Sequence, residues 1–215
     1  MTTDPAAFVV ANTALAPPPL VPEVRLYLAT EVTPLWEATE ASLARTGLPP
    51  PYWAFAWPGG QAIARHILDN PGIVRGRRVL DFAAGSGLVA VAAMKAGAAS
   101  ATAAEIDAFA VAAIGLNATA NGVSVAAADR DVVGTDPGVD LVLCGDVCYE
   151  RPMTDHILPW LRDLARRGVE VWLGDPGRAY LPKDRLERLA EYAVPTPLDL
   201  EDRVVRETRI WRLLA

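Results

Sequence analysis

The chain has 215 residues, of which 52% are hydrophobic and 21% charged, with a formal net charge of −6. That length supports one substantial core but not two, and the apolar balance excludes a globally disordered chain. The acidic balance argues against a nucleic-acid partner, because phosphate binding calls for a basic face.

Residues 1–20 are rich in Ala, Thr and Pro, end in Pro17-Pro18-Pro19, and read as a loose leader to a single domain over 21–215. Two short helices are expected next, at 23–30 and at 34–45, the second capped by Thr33 with Pro34 in its first turn. Pro49-Pro50-Pro51 stops them. The densest aromatic cluster of the chain, Tyr52-Trp53-Ala54-Phe55-Ala56-Trp57, completes a helical and aromatic lid over 21–57. The core, 58–215, opens with a helix to residue 70 on the spacing of Ile63, Ile67 and Leu68, closed by Asn70-Pro71-Gly72. Strands at 77–82, 101–106, 123–128, 139–145 and 169–174 then alternate with helices at 87–96, 108–120 and 154–167, and a last helix is expected at 182–192. Near-continuous apolar strands between helices indicate a parallel sheet covered on both faces. The end breaks the alternation, since strand signals at 195–200 and 203–214 with a short connection make a hairpin. The fold class is therefore α/β: a doubly wound, mostly parallel seven-stranded sheet with a C-terminal antiparallel hairpin.

Val79-Leu80-Asp81-Phe82-Ala83-Ala84-Gly85-Ser86-Gly87 is an apolar strand ending in an acid, then a turn almost bare of side chains, leading into an Ala-rich helix. Such a turn lets a ligand lie against backbone, and glycine tolerates both the approach and a positive φ. Its N–H groups, at a helix N-terminus, suit a carboxylate. The next strand ends at Glu105, placed to accept both hydroxyls of a ribose. Asp107, just before Ala108, suits a helix cap. Together these define a nucleoside-cofactor site. A dinucleotide enzyme would show Gly-x-Gly-x-x-Gly, but here Gly85-x-Gly87 is followed by Ala90. An S-adenosylmethionine site shows an acid and then Gly-x-Gly-x-Gly; the chain offers Asp81, Ala83, Gly85 and Gly87, with Ala83 at the first glycine. Asp129 and Asp131 follow the third strand, where an acid either reaches an adenine amino group or solvates a turn; of the two we take Asp131.

Gly145-Asp146-Val147-Cys148-Tyr149-Glu150 ends the fourth strand, whose carboxyl end opens on the cleft where ligands of open sheets bind. Asp146 has the chemistry to accept from an amine nucleophile and Tyr149 to flank it; the competing reading is a helix start with Asp146 as cap. Trp57 has two readings of equal standing: a core lid, or a flat indole over a sulfonium. Cys144 and Cys148 lack metal-ligand companions and read as small buried residues, so no metal is expected. His66 and His156 receive no role. Gly174-Asp175-Pro176-Gly177-Arg178, a turn at the same sheet end, is a candidate substrate-side loop. The N-terminus lacks the basic start and apolar run of a secretory signal, and no run reaches the roughly 18 apolar residues of a membrane span. With two cysteines, a cytoplasmic address and no membrane partner are expected.

The strings Pro51-Tyr52-Trp53-Ala54-Phe55-Ala56-Trp57-Pro58-Gly59-Gly60-Gln61-Ala62, Leu68-Asp69-Asn70-Pro71, Val79-Leu80-Asp81, 145–150 and 174–178 resemble the electron transfer flavoprotein β-subunit lysine methyltransferases. These belong to the seven-β-strand protein-lysine methyltransferases, marked by Asp-x-x-Tyr after the fourth strand. The likeness runs from about residue 21 to the C-terminus. It implies a Rossmann-like methyltransferase fold, S-adenosylmethionine as methyl donor, and a protein lysine on the electron transfer flavoprotein β subunit as target. It further implies Trp57, the 81–87 turn and Glu105 as cofactor contacts, with Asp146 and Tyr149 serving the lysine. The departures are Ala83 for Gly, Cys148 where an aromatic is common, and Glu150 where Asp is common. The rival readings are a methyltransferase for another protein lysine, ribosomal or otherwise, a small-molecule N-methyltransferase, an NAD-binding oxidoreductase and a catalytically idle binding module.

Overall fold

The computed structural model describes residues 4–30, 35, 50–196 and 203–215. Two short strands, β1 (Ala14–Ala16) and β2 (Leu26–Leu28), pair with each other apart from the main sheet. The main sheet comprises β3 (Arg78–Phe82), β4 (Ser100–Ala104), β5 (Ala126–Ala128), β6 (Leu141–Gly145), β7 (Glu170–Asp175), β8 (Leu186–Pro195) and β9 (Val205–Leu213). Their order across it is β5-β4-β3-β6-β7-β9-β8. The strands β3 to β7 run parallel, whereas β9 is antiparallel to both β7 and β8. The chain winds outward from β3 to one edge and returns to its other side at β6. That reversal leaves a crevice outside the carboxyl ends of β3 and β6, where open α/β sheets bind ligands.

The described helices are α1 (Pro5–Asn12), α2 (Pro58–Asp69), α3 (Leu88–Lys95), α4 (Ala108–Ala120) and α5 (Arg151–Arg166). Alternation along the strands sorts them onto two faces. Val79, Leu141, Leu143 and Trp172 face Ile63 and Ile67 of α2 and Val89 of α3, and Ala101 and Ala103 face Ile114 of α4. The other face, with Leu80, Val142 and Leu173, packs against Ile157, Leu161 and Leu164 of α5. Asp107 caps α4 through the Phe109 N–H at 2.9 Å, as its position in the chain suggests.

Three expectations are corrected. Of the expected loose leader, the described residues 4–20 are not loose: they carry β1 and α1, which Asp4 caps through the Ala6 N–H and which buries Val9. Residues 23–30 are not a helix, because two side chains of α4 hold them extended. Asn117 Oδ1 accepts from Tyr27 N–H at 2.8 Å, and Asn121 both accepts from Arg25 N–H and donates to its carbonyl. Residues 182–192 contain the start of β8, whose ladder with β9 overrides the helical propensity of Glu187-Arg188-Leu189-Ala190. The hairpin itself is present, with its first strand earlier in the chain than expected. The helix expected at 34–45 and most of the strand expected at 195–200 lie outside the described residues, Leu35 apart.

Candidate active site

The strand ends open into a cavity of about 600 Å³. Trp57, Asp81, Ala83, Gly85, Glu105, Asp131, Asp146 and Tyr149 all line it. Gly87 does not line it and instead packs the turn: its φ is 75°, and a Cβ there would meet Ile114 Cγ1 at 3.1 Å. Asp129, the alternative to Asp131, is not among the lining residues. Tyr52 of the aromatic cluster and Arg178 of the loop 174–178 also line the cavity, as does His156, which receives no role from the sequence.

The turn after β3 is built from left-handed residues: Ala83 and Gly85, each at φ 52°, and Gly87. Glu105 reaches across from the end of β4, Oε2 accepting from Gly85 N–H at 3.0 Å and Oε1 from Ile106 N–H at 2.8 Å. Oε1 accepts from Asp107 N–H as well, at 3.4 Å, so Oε2, with its single donor, is the oxygen that retains acceptor capacity toward the cavity. Asp81 behaves differently. Its Oδ2 accepts from Ala90 N–H in the first turns of α3 at 2.9 Å, clasping strand to helix over the turn. Burial pushes its pKa up to about 8, against that hydrogen bond, with Glu105 adding to the rise.

The second wall forms where the N-terminus of α2 lies directly on β6 and β7. Only glycine permits that approach: a Cβ on Gly59 would collide with the Gly174 carbonyl, and one on Gly145 would sit 2.7 Å from Gly60 N. Asp146, at φ 57°, turns its buried carboxylate into this junction. Its Oδ2 accepts from Gly59 N–H, and its Oδ1 from Arg178 Nη2 at 2.9 Å and Nε at 3.2 Å. Burial pushes the Asp146 pKa up to about 6, with Arg178 opposing the rise. Asp175 sets the loop that delivers Arg178, its Oδ1 accepting from the N–H groups of Gly177 and Arg178, each at 2.6 Å. The Arg178 guanidinium lies 5.8 Å from the centroid of the Trp57 ring, and Trp57 Nε1 donates to the Tyr52 carbonyl. Tyr52 and Tyr149, ring centroids 5.9 Å apart, stand at the mouth, each 44% exposed.

At the rim, Asp131 accepts from Val133 N–H and meets His156 Nε2 at 2.8 Å, so His156 has a partner that its sequence context does not reveal. His66 is structural, bonded to the Tyr192 hydroxyl and against Trp172. Cys144 and Cys148 are buried free thiols; burial raises both, Cys148 to about 12, which leaves them unreactive. Among the described residues no cluster of three His, Cys, Asp or Glu could hold a metal ion.

A parallel sheet ending in an antiparallel hairpin, with an acid-tipped glycine turn at its switch point, defines a methyltransferase of the S-adenosylmethionine-dependent class. Residues 66–145 match the ribosomal protein L11 methyltransferase (PrmA) family. The magnesium protoporphyrin IX methyltransferase of Synechocystis PCC 6803, solved with S-adenosylmethionine bound, superposes with a TM-score of 0.54 at 20% identity, over 73% of this chain and 79% of that one. The ribosomal protein L11 methylase of Lactobacillus delbrueckii subsp. bulgaricus gives 0.51 at 20% identity, over 70% and 76%. Similarity in sequence is closer to the electron transfer flavoprotein β-subunit lysine methyltransferases of Xenopus laevis, 36% identical over 97% of this chain and 87% of its own length, and of Mus musculus, 36% over 89% and 77%. The chain belongs to the electron transfer flavoprotein β-subunit lysine methyltransferase family. Its residues fit the methyl donor: Gly85 keeps the turn free of side chain, and Glu105 brings a carboxylate oxygen with a spare lone pair, Oε2, to the cavity.

Proposed function

We propose that this protein methylates a lysine ε-amine of the electron transfer flavoprotein β subunit, as the names of its relatives say of them. The observation that carries the reading is a buried acceptor, Asp146, behind a half-exposed aromatic mouth of Tyr52 and Tyr149. An open mouth of that kind suits a long side chain reaching in from a polymer, and this favours a protein over a small molecule. When bound, S-adenosylmethionine supplies a methyl group on a positively charged sulfur, which makes its departure easy without a metal.

The rest of the chemistry falls to the chain. In this reading Glu105 accepts from the ribose hydroxyls, Asp131 from the adenine amino group, and the 81–87 turn receives the methionine end. Trp57 forms the wall beside the reacting centre. A free lysine, with a pKa near 10.4, is neutral in only about one molecule in 10³ at pH 7. Asp146 therefore has to accept from the neutral amine and aim its lone pair, while the Tyr149 ring lines the approach. The proton that the amine sheds leaves through the open mouth to solvent. Most of the acceleration comes from positioning. The two free thiols support a cytoplasmic setting, which fractionation of the tagged protein tests.

Incubation with labelled donor and recombinant electron transfer flavoprotein β subunit, followed by peptide mass spectrometry, is expected to place methyl groups on lysine. Asp146→Asn should bind donor normally by calorimetry yet lose at least about 100-fold in turnover. Normal turnover in that variant removes Asp146 from the chemistry.

A further inference from the structure

We propose that Arg178 is a positioning residue for the transfer: its guanidinium cancels the charge of Asp146 yet leaves the carboxylate an acceptor, so that an incoming amine is oriented in its neutral form. The inference rests on the lysine reading above. Two N–H groups of the guanidinium fork converge on Asp146 Oδ1, at 2.9 and 3.2 Å, while Oδ2 holds the head of α2. The pair is largely buried, with side-chain exposures of 18% and 8%, so screening is reduced and the mutual charge matters. The aim of Arg178 does not depend on Asp146 alone. Asp175 pins the backbone of Gly177 and Arg178, and the Trp57 ring lies against the guanidinium. The other oxygen of Asp175, Oδ2, is buried without a hydrogen-bond partner, so what this carboxylate holds is the loop that carries Arg178.

Among the described residues, the groups facing Asp146 are Arg178 and Asp175 from the end of β7, the N–H of Gly59 from α2, and Cys148 on its own loop. Tyr149, Glu105 and Asp81 share its cavity. Among these, Arg178 is the cation in contact with Asp146. An uncompensated anion here would hold a lysine as its ammonium, the wrong form for attack. Alternatively, burial would make Asp146 take up a proton itself and stop accepting. Both failures are worst near neutral pH and fade as pH rises, because alkali deprotonates amine and carboxyl alike. A loop that merely needs Arg178 for shape has no such dependence.

Methylation of recombinant electron transfer flavoprotein β subunit is measured from pH 7 to 10 with wild type, Arg178→Ala and Arg178→Lys, each checked by circular dichroism. Arg178→Ala should lose about 100-fold in kcat at pH 7, with the deficit shrinking below about tenfold by pH 9.5. Arg178→Lys keeps the cation but loses the fork, and should recover at least about tenfold of the loss that Arg178→Ala shows at pH 7. A deficit that is constant across pH, or wild-type turnover by Arg178→Ala at pH 7, overturns the inference. Absence of lysine product from the wild type overturns the lysine reading and this inference with it; wild-type product tells the two failures apart. Should Arg178→Ala fail to fold, Arg178→Met, which keeps the stem over Trp57 without the charge, is judged by the same criteria.

Discussion

Asp81 and Asp146 both end strands of the same sheet, and both are buried, yet their surroundings treat them differently. Asp146 has a guanidinium and a helix N–H, and burial lifts it only to about 6. Asp81 has one backbone N–H, from Ala90, and rises to about 8. Its folded pKa thus lies above the ordinary value of 3.8, so the folded protein holds a proton that the unfolded chain releases. Stability from this group is complete below about pH 4 and is lost as pH climbs through about 8. Asp81→Asn keeps an acceptor for Ala90 N–H but cannot ionise. Urea unfolding should show wild type losing a few kcal/mol more than Asp81→Asn between pH 5 and 8.5; parallel curves refute this. The acids themselves were legible in the sequence, each after an apolar run. Their separate roles were not, because Ala90, Gly59 and Arg178 reach them only in three dimensions.

At the scale of elements, the βα alternation and the closing hairpin were legible because near-continuous apolar strands and glycine stops are local signals. Segments whose backbone is held by distant partners were not. The strand β2 depends on Asn117 and Asn121 of α4, and β8 depends on its ladder with β9. The Trp57-Pro58-Gly59-Gly60 string illustrates the difference. Its residues suggest a lid over the ligand, but the two glycines do separate work. A Cβ on Gly59 would strike both the Gly174 carbonyl and the Asp146 carboxylate, whereas one on Gly60 would find its nearest neighbour, Val89 Cγ2, 4.0 Å away. Gly59→Ala should therefore push α2 off the strand ends and destabilise the fold by about 1–3 kcal/mol. Turnover should fall with it, since the Gly59 N–H bond to Asp146 is lost. Gly60→Ala, in the first turn of the same helix, should be neutral or slightly stabilising through helix propensity. Thermal unfolding of the pair checks this, and equal destabilisation contradicts it.

Across the whole molecule, the N-terminal segment and the glycine turn are joined through α4. Asn117 is fully buried. One end accepts from Tyr27 N–H in β2, and the other donates to the Ser86 carbonyl in the turn, each at 2.8 Å. Asn121, one helical turn on and more exposed, repeats the contact at Arg25 without reaching the turn. Order in the N-terminal segment and the shape of the donor cradle are thereby linked through a single side chain. Asn117→Leu fits the volume but leaves a buried donor and a buried acceptor unpaired, a loss of about 2–5 kcal/mol. Because Ser86 also lines the cavity, calorimetry should show donor affinity falling together with stability. Hydrogen exchange at the Tyr27 amide should accelerate in the same variant. Asn121→Ala should expose the Arg25 amide yet leave donor binding within about twofold, since its ladder stops short of the turn. If Asn117→Leu frees the Tyr27 amide while donor affinity stays at the wild-type value, the segment and the cradle are independent and α4 carries no link between them.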